Sequence, residues 1–152
     1  MLDVTAIKII HAENLEPGQL ARLSVFDDAL ALFARIDRQP FVVPLEGTRA
    51  FEAISVELLE GYALLAGEVV FEVDPASLTA DTVTAGALVR SGTELRLSAR
   101  DPRTGSVGSL PIRADLERAA GRLAFTRWRA VIGEGERAFT LFEHDATAQV
   151  RR

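Results

Sequence analysis

The stretch that decides the fold runs from Thr82 to Arg100: Thr82-Val-Thr-Ala-Gly-Ala-Leu-Val-Arg90, Ser91-Gly-Thr93, Glu94-Leu-Arg-Leu-Ser-Ala-Arg100. In its first part Val83, Ala85, Ala87 and Val89 alternate with Thr82, Thr84 and Arg90. In its last part Leu95, Leu97 and Ala99 share one face, and Glu94, Arg96, Ser98 and Arg100 the other. A period of two is the mark of a strand, and Ser-Gly-Thr between two such runs is turn chemistry, so the segment reads as a β-hairpin.

Working outward, the same period recurs. Ile54, Val56 and Leu58 alternate with polar neighbours, and Val69, Phe71 and Val73 alternate with Glu68 and Glu72. Asp74-Pro75 stops that second run, because proline cannot donate to a ladder. Residues 123–132 and 136–143 read as strands around the turn Gly133-Glu134-Gly135, and Asp101 to Gly105 reads as a turn into a strand at 107–112. A strand is expected at 4–10. Glu16-Pro17-Gly18-Gln19 has proline and glycine where a type II turn requires them.

Residues 20–36 allow two readings. Leu20, Leu23, Phe26, Leu30 and Phe33 fall at helical steps. Asp27-Asp28 also divides the segment into two apolar runs, and Asp tolerates the left-handed turn conformation, which favours a hairpin. Short helical pieces are expected after the Asp74 cap and at 115–120. The sum is an all-β chain, an antiparallel sandwich or barrel of about nine to ten short strands with one or two short helical turns, in one domain spanning 1–152.

Composition bounds the rest. The chain has 152 residues, 48% of them hydrophobic. That is enough for one core, since domains of this size bury roughly 68–70% of their unfolded surface. No cysteine is present, which excludes disulfides, thiolate metal sites and cysteine nucleophiles. The N-terminus lacks signal-peptide character, and no apolar run is long enough to span a bilayer, so the expected location is cytoplasmic and no membrane partner is expected. A net charge of −5 argues against nucleic-acid binding. The charge is uneven: residues 1–80 hold five basic groups against thirteen acids, and residues 81–152 twelve against nine. Head-to-tail association of the two halves is one reading, and juxtaposition inside one fold the plainer one.

Chemistry-bearing residues are sparse. His11 has Glu13 nearby, and Glu143 and Asp145 flank His144, but two histidines 133 positions apart make a metal site only if the chain ends converge. No metal or other cofactor is expected. Gly105-Ser106-Val107-Gly108-Ser109 resembles a nucleophile elbow only superficially and sits at a turn. Asp27 and Asp28 belong to a solvated turn, and no phosphate-binding glycine loop occurs.

The most unusual strand is 123–132. One face reads Leu123, Phe125, Arg127, Arg129, Val131, and the other Ala124, Thr126, Trp128, Ala130, Ile132. Two arginines on one face can clamp an anion beside an apolar lining, which makes Arg127, Arg129, Phe125 and Trp128 the candidate ligand-binding residues. The competing reading has Trp128 anchoring the core while Arg127 and Arg129 face solvent, paired to acids across the ladder. No catalytic residues emerge. The expected function is a non-catalytic protein–protein interaction or assembly domain, homo-oligomeric in one form. The alternative is a β-barrel that binds a small anionic or apolar ligand through the arginine-bearing strand.

Overall fold

The computed structural model describes residues 7–56, 61–66, 68–79, 84–114, 122–133 and 138–145. It is all-β and antiparallel, as the alternation dictates. Fourteen strands are present among the described residues: β1 (Ile7–His11), β2 (Leu20–Leu23), β3 (Ala29–Ile36), β4 (Gln39–Pro44), β5 (Ile54–Ser55), β6 (Tyr62–Ala66), β7 (Val69–Val73), β8 (Leu78–Thr79), β9 (Leu88–Ser91), β10 (Glu94–Arg100), β11 (Val107–Ala114), β12 (Arg122–Phe125), β13 (Arg127–Ile132) and β14 (Phe139–Asp145). They exceed the nine or ten expected because bends cut runs that look continuous in sequence.

Three sheets result, ordered β1-β6-β2-β3-β4-β5, β11-β10-β9-β12-β8 and β14-β13-β7. All three are open, so the architecture is sandwich-like and not a closed barrel. The main core lies where they meet. Leu20, Leu30, Leu32 and Val43 come from the first sheet, Leu88, Leu97 and Ile112 from the second, and Val69, Trp128, Ala130 and Ile132 from the third. A smaller cluster with Ala21, Leu23, Ala31, Phe33, Val42 and Ala63 occupies the other face of the first sheet. Central strands of that sheet are therefore buried on both faces. This explains why 29–34 shows an unbroken apolar run instead of alternation.

The ambiguous segment 20–36 is a hairpin. β2 pairs with β3 from Leu20↔Leu32 to Leu23↔Ala29. A 3-10 turn at Ser24–Phe26 leads into Asp27 and Asp28, both left-handed at φ 55° and 60°. Gly18 takes φ 87°, and Gln19 N–H donates to Glu16 O at 3.2 Å, the type II turn expected there. Asp74 caps the 3-10 turn Pro75–Ser77 by accepting from Ala76 N–H at 2.9 Å.

Three expectations are corrected or fall outside. Of the strand read at 82–90, residues 82 and 83 lie outside the described residues, 84–87 are not strand, and β9 begins at Leu88 after Gly86 bends the chain at φ 92°. The strand around Ile54 and Val56 is two residues long. The helical piece at 115–120 lies outside the described residues.

Residues 123–132 do not form one strand. The chain bends at Thr126, so that β12 belongs to the second sheet and β13 to the third. The neighbouring chain bends with it: β7 pairs with β13, the 3-10 turn intervenes, and β8 pairs with β12. Ser77, buried in this corner, joins the two bends. Its hydroxyl donates to Asp74 O at 2.7 Å and accepts from Arg127 N–H at 3.1 Å. The second and third sheets are thus one antiparallel ribbon folded over a shared corner, with strands switching sheets through a bend.

Candidate functional site: the charged face of the third sheet

β13 is the central strand of the third sheet, and its alternation holds from Arg127 to Ala130, beyond which Val131 is buried as well. Trp128, Ala130 and Ile132 are buried in the core, while Arg129 is exposed and Arg127 partly so. On one side β14 sets Asp145 opposite Arg127 and Glu143 opposite Arg129. On the other β7 sets Glu72 opposite Arg129, and Asp74 follows beside Arg127. The outer face therefore carries two rungs, Asp145–Arg127–Asp74 and Glu143–Arg129–Glu72. Arg127 Nη2 lies 3.1 Å from Asp74 Oδ2, and Arg129 Nε donates to Glu72 Oε1 at 2.6 Å.

These side chains line an open groove of about 930 Å³, which also takes in Val73, Trp128 and His144. Three of the four sequence-predicted residues are brought together here: Arg127, Arg129 and Trp128. Phe125 is not. It lies on β12 beyond the bend at Thr126, buried opposite Leu88 and Leu78, and does not line the groove. Both arginines already have carboxylate partners, and the lining holds four acids against two guanidiniums. An incoming anion must displace Glu72 or Asp74 and meet surplus negative charge.

Beneath the groove lies an arrangement that strand patterning does not reveal. His144, opposite Trp128 on the inner face of β14, is only 7% exposed. Its ring packs 4.3 Å from Phe51 and 6.2 Å from Phe142. Burial lowers its pKa from 6.5 to about 4 against the opposing effect of the Asp145 carboxylate, so the imidazole is neutral at physiological pH. Its Nε2 is buried without a hydrogen-bond partner. The nitrogen faces Gly86, where a Cβ would come within 2.5 Å of it. Gly86 is fixed from two further sides: Trp128 Nε1–H donates to its carbonyl at 2.7 Å, and its N–H donates to Ser98 O at 2.8 Å. Phe51 itself holds φ 61°, a strained value for an aromatic residue. Its N–H donates to Pro44 O at 2.7 Å and its carbonyl accepts from Arg100 N–H at 2.8 Å, which hold it there. The sequence signal for this cluster was a histidine between Glu143 and Asp145: two outward acids place the residue between them inward.

His11 and His144 do not converge. His11 is on β1 of the first sheet, stacked on Tyr62 at 5.1 Å, and His144 is in the third sheet. No group of three metal-ligating side chains gathers among the described residues. Gly105 to Ser109 leads from a turn into β11, not into a helix, so it lacks the setting of a nucleophile elbow. No helix among the described residues is long and apolar enough to cross a membrane.

The family described as "Uncharacterised protein y4lG" matches residues 19–152. The chain belongs to the y4lG family. No curated protein and no solved structure matches it. The family match takes in β2 to β14, and so covers the whole of the charged groove and the His144–Gly86 contact; β1 lies ahead of it.

Proposed function

We propose that this y4lG-family chain is a non-catalytic interaction domain that works by protein–protein contact through its sheet surfaces, assembling with copies of itself in one form. One observation carries the reading. At the β1–β6 margin of the first sheet, Ile9, Tyr62 and Leu64 are 74%, 59% and 41% exposed, and Ile9 stands directly opposite Leu64 in the register. Scattered exposed apolar residues are ordinary, but neighbouring ones on one sheet margin suit a contact surface. The chemistry of the groove supports the same side: its histidine is buried, and its two arginines are already held by Asp74 and Glu72.

A dilution series followed by light scattering, at low and high salt, together with pull-down from a native extract, tests the proposal. Concentration-dependent mass or a stoichiometric partner is expected. A strict monomer at high concentration with no partner contradicts it.

A second reading rests on the groove. Its size suits a small molecule, and Arg127 and Arg129 supply polar contacts at its outer face. Co-purification of a ligand that is lost in the Arg127→Ala/Arg129→Ala double variant would favour it.

A further inference from the structure

We propose that the partner at this margin is a second copy of the chain, joined through an antiparallel β1–β1 pairing centred on Ile9. The inference rests on the interaction reading above and names its partner.

Among the described residues β1 has one neighbour, β6, so its other edge is open. Which backbone groups that edge presents follows from the register. The pairing runs Ile7↔Ala66 to His11↔Tyr62, and Ala12 N–H donates to Gly61 O at 3.0 Å, continuing it by one residue. In an antiparallel ladder, hydrogen-bonded and non-hydrogen-bonded pairs alternate. Ala12, Ile10 and Lys8 therefore bond to β6, and Ile7, Ile9 and His11 turn their N–H and C=O groups outward. A two-fold axis at Ile9 uses all of them: Ile9 pairs with Ile9 of the second copy, and Ile7 with His11 in both directions. Axes at Lys8 or Ile10 use fewer.

The other five sheet margins are guarded against such pairing. β5 and β8 are two residues long. β11 carries Pro111 and a register shift opposite it, and Gly18 packs against Ile112 O. β14 has a register shift in its ladder and bears Glu143 and Asp145, which self-pairing would set against their own copies. β7 bears Glu72 and ends at Asp74-Pro75. Short strands, proline, bulges and charge are the usual devices that keep sheet edges apart. β1, with three isoleucines in five residues, has only Lys8.

The charge of the patch suits a second copy as occupant. A two-fold contact brings each group near its own image, so a patch with unbalanced charge repels itself. The exposed side chains here, Ile9, His11, Tyr62 and Leu64, include no carboxylate, ammonium or guanidinium. The next residue along the rung is Arg22, already within 3.4 Å of Glu46. The pairing would unite Leu64 and Ile9 with Ile9 and Leu64 of the second copy in one apolar rung.

The test uses the full chain and its lack of cysteine. Ile9→Cys should form an interchain disulfide on mild oxidation, since a hydrogen-bonded pair sets Cα atoms about 5.5 Å apart, within disulfide reach. Thr104→Cys, on an exposed turn, should not. Ile9→Lys should raise the dimer dissociation constant roughly tenfold or more, since an ammonium then meets its own image, and Ile9→Val should restore it. Circular dichroism confirms that each variant folds. A dimer that survives Ile9→Lys unchanged, or equal cross-linking at 9 and 104, overturns the β1 pairing but leaves assembly standing. A monomer that captures a different protein overturns self-pairing alone. A monomer with no partner overturns both.

Discussion

His144 Nε2 sits against the bare Cα of Gly86, so close that a Cβ there would lie 2.5 Å from the nitrogen. The contact joins the edge strand of the third sheet to the chain entering β9 of the second. Gly86→Ala should meet two costs, a side chain at φ 92° and an overlap with the imidazole. Together they should destabilise the domain by about 2–5 kcal/mol in urea unfolding. His144→Ala in the same chain removes the overlap, so the double variant should be more stable than the two single losses predict.

The buried imidazole makes stability depend on pH. The folded-state pKa of about 4 lies below the unfolded 6.5, so the unfolded chain takes the proton first as pH falls. The stability associated with a neutral His144 is whole above pH 6.5, declines between 6.5 and 4, and is lost by about 3 kcal/mol below that. Comparing urea midpoints of wild type and His144→Leu from pH 7.5 to 4 isolates this site from the carboxylates. The Leu variant should give the flatter profile.

Ser77→Ala tests the corner where two strands change sheets. It removes the acceptor for Arg127 N–H and the donor to Asp74 O in a buried setting. A loss of about 1–3 kcal/mol is expected, with faster hydrogen exchange at Arg127.

Arg129→Ala should do far less. Its pair with Glu72 is about half exposed on both sides, so under about 1 kcal/mol is expected, shrinking further in high salt. The Arg127→Ala/Arg129→Ala variant should therefore stay folded, which makes it a fair probe for any groove ligand.

Patterning was legible wherever a strand keeps one face to solvent. Residues 69–73 alternate because one face is wet, and β13 does the same from Arg127 to Ala130, with Trp128 inward and Arg127 and Arg129 outward; in 94–100 the polar face is only partly wet, since Ser98 is buried. Asp27-Asp28 identified the hairpin because few other side chains accept two left-handed residues in succession. The bend at Thr126 left no comparable sign: the alternation runs straight through it, and only the Ser77 contacts, 49 to 50 residues away, place it there. Phe125 was lost from the site for that reason. The acid–arginine rungs and the His144–Gly86 contact depend on register between distant strands, which composition does not encode.

Native mass spectrometry of the purified full chain tests the central claim most directly. A species of two chain masses with nothing added, weakened by dilution and by Ile9→Lys, is the predicted result. A single chain carrying extra mass that disappears in Arg127→Ala/Arg129→Ala would contradict it and move the function to the groove.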